Sequence, residues 1–356
     1  MGKVKAWLVI AAITLVTLTV QGSGAEPVRD GVNVPTTPVV SASLATQGNG
    51  TNIDGCCDTS EHTVHFVTVA PGVQLEVLDW GGTGEPLVLL TGLGDNAHVY
   101  DGFAYQFTDK FHVIGITRRG FGRSSQSPSD YDLDTRARDD IAVLDELNIP
   151  RAIFIGHSIA GTELFKLGAA YPDRVKKLVT LDGLDNAGGG WANLPQPPPA
   201  PDLTSEDLQS VQHLAAAFAR SDGYRKPLAA LCHMVRTDPI SGSVVGPVTP
   251  PEISSQIPAG LQLAEYHRIK APVLGIFNRL SRHYRLPYYW DLDPATQEEF
   301  RRSIRLLSTW TDGAIERFRS GVQNARVIEL PDANHYVYIV EESFVVREIR
   351  QFLLEE

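Results

Sequence analysis

A chain of 356 residues with 43% hydrophobic residues has material for one large packed core or two small ones, which excludes disorder over most of its length. Its formal net charge of -11 comes without a basic stripe, so nucleic acid is excluded as a partner. No His, Cys or carboxylate cluster stands at metal-ligand spacing, and the glycines form neither a phosphate nor a dinucleotide loop. No metal and no cofactor are therefore expected.

Residues 1–25 carry Lys3 and Lys5, then an apolar run from Ala6 to Val20, then small residues ending in Gly24 and Ala25. This is the layout of a secretory signal peptide, and the run falls short of the roughly 20 residues of a membrane span. Cleavage after Ala25, no stable membrane anchor afterwards and a secreted or periplasmic location are expected. Residues 26–60 are rich in Gly, Ser, Thr, Pro and Asn and lack an apolar period, so they read as a flexible leader. The three cysteines are Cys56, Cys57 and Cys232. An oxidising compartment allows one bridge, and Cys232 with one of the adjacent pair is less strained than a bridge between neighbours; three unpaired thiols is the alternative.

Two alternating runs, His62 to Val69 and Val73 to Trp80, flank Pro71-Gly72 and predict a hairpin at a sheet edge. Within them His62 and His65 read as strand residues, not ligands. Buried strands are predicted at Pro86 to Thr91, leading into Thr91-Gly92-Leu93-Gly94-Asp95, and at Phe111 to Thr117, leading into Arg118-Arg119-Gly120-Phe121-Gly122-Arg123-Ser124. An amphipathic helix follows over Tyr131 to Leu147.

The next stretch organises the rest. Ala152 to Ile155 is an apolar run of the kind a strand buried on both faces contains, Gly156-His157-Ser158-Ile159-Ala160-Gly161 is a tight turn, and Leu164, Leu167 and Ala170 then recur at helical spacing. A serine is thus held at the apex of a strand-to-helix turn, where small neighbours are required. The pattern is close to G-x-S-x-G, with Ala160 in place of the second glycine and Gly161 one residue later. Val175 to Leu181 is another strand, closed by Asp182. Strands alternating with helices argue a mostly parallel sheet covered on both faces.

From Gly183 to about Lys270 the pattern changes to Gly188-Gly189-Gly190, the prolines between 195 and 201, and mainly helical pieces including Asp207 to Arg220. So long an excursion between core strands reads as a cap over the turn. Ala271 to Phe277 resumes the core, Pro294 to Trp310 is helical, and Ala325 to Leu330 is the last strand, followed by Pro331-Asp332-Ala333-Asn334-His335. The expected division is a signal peptide (1–25), a leader (26–60), a core (61–184 and 268–356) and a helical cap (185–267).

Taken in order, the Thr91–Asp95 loop, the R-G-x-G-x-S turn, the serine elbow and the His335 segment resemble the α/β-hydrolase family over about residues 63 to 354. The resemblance implies a doubly wound α/β sheet and a Ser, acid, His triad, with Ser158 as nucleophile and His335 as base. The usual acid position, after the strand before the last, is Asn278-Arg279-Leu280 and holds no carboxylate. Asp182 stands 182 − 158 = 24 positions after the nucleophile, a placement similar to haloalkane dehalogenases and zearalenone-type lactonases. Asp185 is the nearest rival, with Asp291 or Asp293 as a further alternative. The same resemblance puts the oxyanion donors at the backbone N–H of Leu93 and Ile159 and makes Gly92, His157 and Trp191 candidates for substrate contact. Relatives that open epoxides or remove halide attack with aspartate, whereas serine forms an acyl enzyme, so a small-molecule ester or lactone is the expected substrate. Phe218, Tyr224, Met234, Tyr284, Tyr288, Tyr289 and Trp290 would suit an apolar or aromatic one. An aminopeptidase of the proline iminopeptidase type, using Glu206, Asp207 or Asp222 to grip an amine, is the second reading. A binding protein of the same fold is the third.

Overall fold

The computed structural model describes residues 58–185 and 193–355. The expected signal peptide, nearly all of the leader, Cys56, Cys57 and Trp191 lie outside them. In chain order the strands are β1 (Thr63–Ala70), β2 (Val73–Gly81), β3 (Glu85–Leu90), β4 (Phe111–Ile116), β5 (Ala152–His157), β6 (Val175–Leu181), β7 (Val235–Thr237), β8 (Val244–Pro247), β9 (Val273–Arg279) and β10 (Ala325–Pro331). The helices are α1 (Asp101–Ala104), α2 (Leu133–Glu146), α3 (Ala160–Ala170), α4 (Val211–Asp222), α5 (Leu228–Cys232), α6 (Pro251–Ala259), α7 (Pro294–Gly321), α8 (Val337–Val340) and α9 (Glu342–Leu354).

Eight strands form one sheet in the order β1-β2-β4-β3-β5-β6-β9-β10. The β1/β2 and β2/β4 pairs are antiparallel and every other pair is parallel. Period-two alternation divides the side chains between two cores. Val88, Leu90 and Phe154 pack with Leu144 of α2, Leu164 of α3 and Phe318 of α7 on one face. Leu87, Leu89, Ile153 and Ile155 pack with Phe103, Ile349 and Phe352 on the other. Every residue of β5 is buried, as a central strand covered on both sides must be.

The segment between β6 and β9 holds α4, α5, α6 and the antiparallel ribbon β7/β8, with a small core of its own around Val211, Leu214, Leu231, Val235 and Val244. The ribbon adds two strands to a segment expected to be mainly helical, because strands of three and four residues are too short to show a period. Helix α4 begins at Val211, not Asp207. The Ser210 side chain caps it by accepting from His213 N at 3.2 Å, while Asp207 accepts from Thr204 N at 2.9 Å outside the helix. Helix α7 continues past Trp310 because its apolar period does, through Ala314, Ile315 and Phe318. No helix among the described residues is long and apolar enough to cross a membrane.

Candidate active site

Ser158 occupies the turn between β5 and α3 with φ of +56°, a conformation that costs a non-glycine residue roughly 1–3 kcal/mol and persists only where the surroundings impose it. The surroundings here are backbone. Ser158 N donates to Leu181 O at 2.9 Å, and its carbonyl accepts from Gly161 N at 2.9 Å. A Cβ on Gly161 would stand 2.5 Å from Gly183 O, and one on Gly183 would stand 2.5 Å from Ser158 O. The close approach of helix to sheet therefore falls at Gly161, which explains why Ala160 is tolerated in the second glycine position.

His335 follows β10 and Asp182 closes β6. His335 Nδ1 lies 2.6 Å from Asp182 Oδ2, while its Nε2 is buried with no hydrogen-bond partner. The other carboxylate oxygen, Asp182 Oδ1, accepts from Asn278 N at 2.8 Å. The strand end that lacks an acid thus contributes a backbone donor to the acid one strand away. Asp185 points elsewhere, accepting from Ala264 N at 3.2 Å, and Asp293 caps α7 through Ala295 N and Thr296 N. His157, next to Ser158 in the chain, has its Nε2 3.1 Å from His335 O.

Leu93 lies in the loop after β3 and Ile159 opens α3, and both side chains pack on Phe121, Tyr131, Ile253 and Ile257. Among the described residues neither N–H has an acceptor. The Leu93 loop is held by Arg118, which donates from Nη2 to Thr91 O at 2.9 Å and from Nη1 to Gly92 O at 3.3 Å. Arg118 also donates from Nε to Glu163 Oε1 at 2.9 Å, and Glu163 sits in the first turn of α3 and accepts from Arg136 as well. One buried ion network therefore joins the loop carrying Leu93 to the helix carrying Ile159. Beside it, burial and the charges of Glu163 and Asp139 push the Asp140 carboxyl well above its usual range.

The family model described as the alpha/beta hydrolase fold matches residues 85–242. The solved structure of E-2-(acetamidomethylene)succinate hydrolase superposes with a TM-score of 0.59 over 82% of this chain and 99% of that one, at 19% identity. The chain has the α/β-hydrolase fold. Among curated relatives, mouse (Mus musculus) bifunctional epoxide hydrolase 2 is 30% identical over 154 residues, 42% of this chain and 25% of that protein. The 3-oxoadipate enol-lactonase 2 of Acinetobacter baylyi is 27% identical over 215 residues, 60% of this chain and 78% of that protein. The chain thus matches only a quarter of the mouse protein's length.

Within this fold several residues expected to contact substrate have other surroundings. His157 is fully buried and does not line an open pocket. Its ring packs on those of His335 and Tyr336 at 4.6 and 4.5 Å, and burial, then the charge of His335, holds it well below the usual histidine range. Gly92 is also a packing position, since a Cβ there would meet His157 Nδ1 at 2.9 Å. Phe218 and Met234 pack into the insertion's own core, Tyr289 is buried against Phe300 and Ile304, and Trp290 is 75% exposed. Closer to the histidine, Tyr224 stacks on Tyr336 with centroids 4.4 Å apart. Burial and then the charge of Asp182 push the Tyr284 hydroxyl up to about 12.

Glu206 is exposed, and Asp207 is engaged by Thr204 and Arg220. Asp222 is half-buried, its carboxyl accepting from the Ser221 hydroxyl at 2.8 Å. Three contacts were invisible in the sequence. Asn334 donates to Asp222 O at 2.6 Å, Asn96 donates to Ala230 O at 2.9 Å, and Lys226 of the insertion pairs with Asp95. The expected absence of a His and carboxylate cluster also fails, because Asp58, His62, His98 and Asp101 converge. Their spacing hid them, since the two halves are separated by β1, β2 and β3.

Proposed function

We propose that this protein is an exported serine hydrolase that cleaves a small-molecule carboxylic ester or lactone through an acyl enzyme on Ser158. The observation that carries the reading is the His335 imidazole, fixed by Asp182 at 2.6 Å through Nδ1 and left with a buried, unpartnered Nε2. Ser158 Oγ attacks the acyl carbon and gives its proton to that Nε2, while Asp182 steadies the imidazolium. The negative charge passes to the carbonyl oxygen, which the N–H groups of Leu93 and Ile159 stabilise; each such donor is worth about 100 to 1,000-fold in turnover. The imidazolium then protonates the leaving alkoxide, and water repeats the sequence to release the acid. Similarity to an enol-lactonase supports the lactone as a substrate class. Export is supported by the layout of residues 1–25 and by Cys232, which is disulfide-bonded; Cys56 and Cys57, the candidates for its partner, lie outside the described residues.

A fluorophosphonate probe is expected to label the parent and not Ser158→Ala, and p-nitrophenyl acyl esters to be cleaved in preference to proline anilides. No labelling would return the binding-protein reading. Cleavage of anilides alone would favour the amine-gripping alternative, which Asp222 supports by standing next to Tyr224 at the end of α4, with Asn334 on its carbonyl.

A further inference from the structure

Outside the active site, the entry to β1 and the turn after β3 bring together two imidazoles and two carboxylates whose ligand atoms all lie within 4.8 Å of one another. His98 Nδ1 stands 3.1 Å from Asp58 Oδ2 and 3.5 Å from Asp101 Oδ2, and His62 Nε2 stands 3.4 Å from Asp58 Oδ2. For metal bonds of 2.0–2.1 Å, the edge of a tetrahedron is about 3.3 Å. These separations match that edge. His98 is 2% exposed, yet neither of its ring nitrogens makes a hydrogen bond, and Asp101 Oδ2 and His62 Nδ1 are likewise buried without a partner. These buried atoms face one another and the carboxylates of Asp58 and Glu76 without hydrogen-bond geometry, an arrangement that is costly unless something satisfies it.

Three of the four candidate ligands are also oriented from behind. Asp101 Oδ1 accepts from Trp80 Nε1 at 3.2 Å, which leaves Oδ2 for the cluster. Asp58 Oδ1 accepts from Ser60 N at 3.0 Å, which leaves its own Oδ2. The far nitrogen of His98, Nε2, lies 3.7 Å from Glu76 Oε1, and Glu76 is itself held by the Thr117 hydroxyl at 2.9 Å. A carboxylate behind the imidazole and a donor behind each carboxylate is the outer arrangement that metal ligands require.

We propose that Asp58, His62, His98 and Asp101 bind one Zn²⁺ ion in a closed four-coordinate structural site. Two imidazoles and two carboxylates suit zinc in number, donor type and geometry. Calcium would need six to eight oxygens and magnesium an octahedral shell, neither of which four ligands with two nitrogens provide. The ion staples the segment entering β1 to the turn that follows the Leu93 loop. It takes no part in acyl transfer.

The test is zinc binding by the purified full chain, read by metal content and by the melting midpoint, neither of which depends on hydrolytic activity. About one zinc per chain is expected. Removal with EDTA should lower the midpoint, and ZnCl₂ should restore it where CaCl₂ and MgCl₂ do not. Asp58→Asn and His62→Gln, at the more accessible side of the cluster, should each weaken zinc binding by at least about 10-fold. His233→Gln, whose ring stacks on His98 at 4.4 Å without offering a ligand, should bind as the parent does. Should His98→Gln fail to fold, the Asp58 and His62 variants still decide. No zinc uptake by the parent, or equal uptake by the parent and both variants, overturns the site and leaves a metal-free knot of histidines and carboxylates.

Discussion

At the scale of single residues, the acid at the end of β6 sets the geometry of the proposed triad. Asp182 has φ of +48°, a left-handed conformation that turns its carboxyl from the strand toward the neighbouring loops, where His335 Nδ1 and Asn278 N meet its two oxygens. Both oxygens are engaged, so an amide at this position offers only one acceptor and must present its NH₂ to a group that is already a donor. The histidine would then adopt the wrong tautomer. Asp182→Asn is expected to lower kcat on a p-nitrophenyl ester by about 10⁴-fold. Asp185→Asn, remote from His335, should stay within a few-fold of the parent. Equal activity of the Asp182 variant and the parent would remove the acid from the mechanism. The sequence indicated this residue because a strand end carrying a carboxylate is visible in one dimension. The Asn278 N–H was not visible, since a backbone donor leaves no mark on residue type.

At the scale of elements, the elbow depends on how closely α3 can approach the end of β6. Gly161 meets the backbone of Gly183, which cannot move aside without displacing both Ser158 and Asp182. Gly161→Ala is therefore expected to cost about 1–3 kcal/mol in unfolding free energy, the usual penalty for overpacking, and to reduce turnover. Ala160→Gly should cost about 1 kcal/mol through helix propensity alone. Chemical denaturation of both variants checks the pair, and a more damaging Ala160→Gly would show that the contact is misplaced. Long buried strands such as β3, β5 and β9 were legible because each carries a continuous apolar run between loop residues. The β7/β8 ribbon was not, and neither was the start of α4, where one serine hydroxyl outweighs the preceding sequence pattern.

At the scale of the whole molecule, the insertion is fixed to the core by polar contacts between residues far apart in sequence. Lys226 pairs with Asp95 across 131 positions, and Asn96 reaches Ala230 O across 134. Such separations carry no sequence periodicity, which is why the docking of the insertion could be expected but its residues could not be named. Asp95 is fully buried, and besides Lys226 it accepts from the Tyr336 hydroxyl at 2.9 Å, next to His335. Removing the cation leaves a carboxylate in the interior with one neutral donor. Lys226→Met is expected to destabilise the fold by about 3–5 kcal/mol, because the stranded charge costs more than the pair contributed. Adding Asp95→Asn removes that charge, so the double variant should regain a large part of the loss, and the two changes should be strongly non-additive. Melting or urea unfolding of the parent, both single variants and the double variant measures the coupling. Simple additivity would mean that the pair does not hold the insertion against the loop, and that the apolar contacts of Leu93 and Ile159 with α6 carry the docking instead.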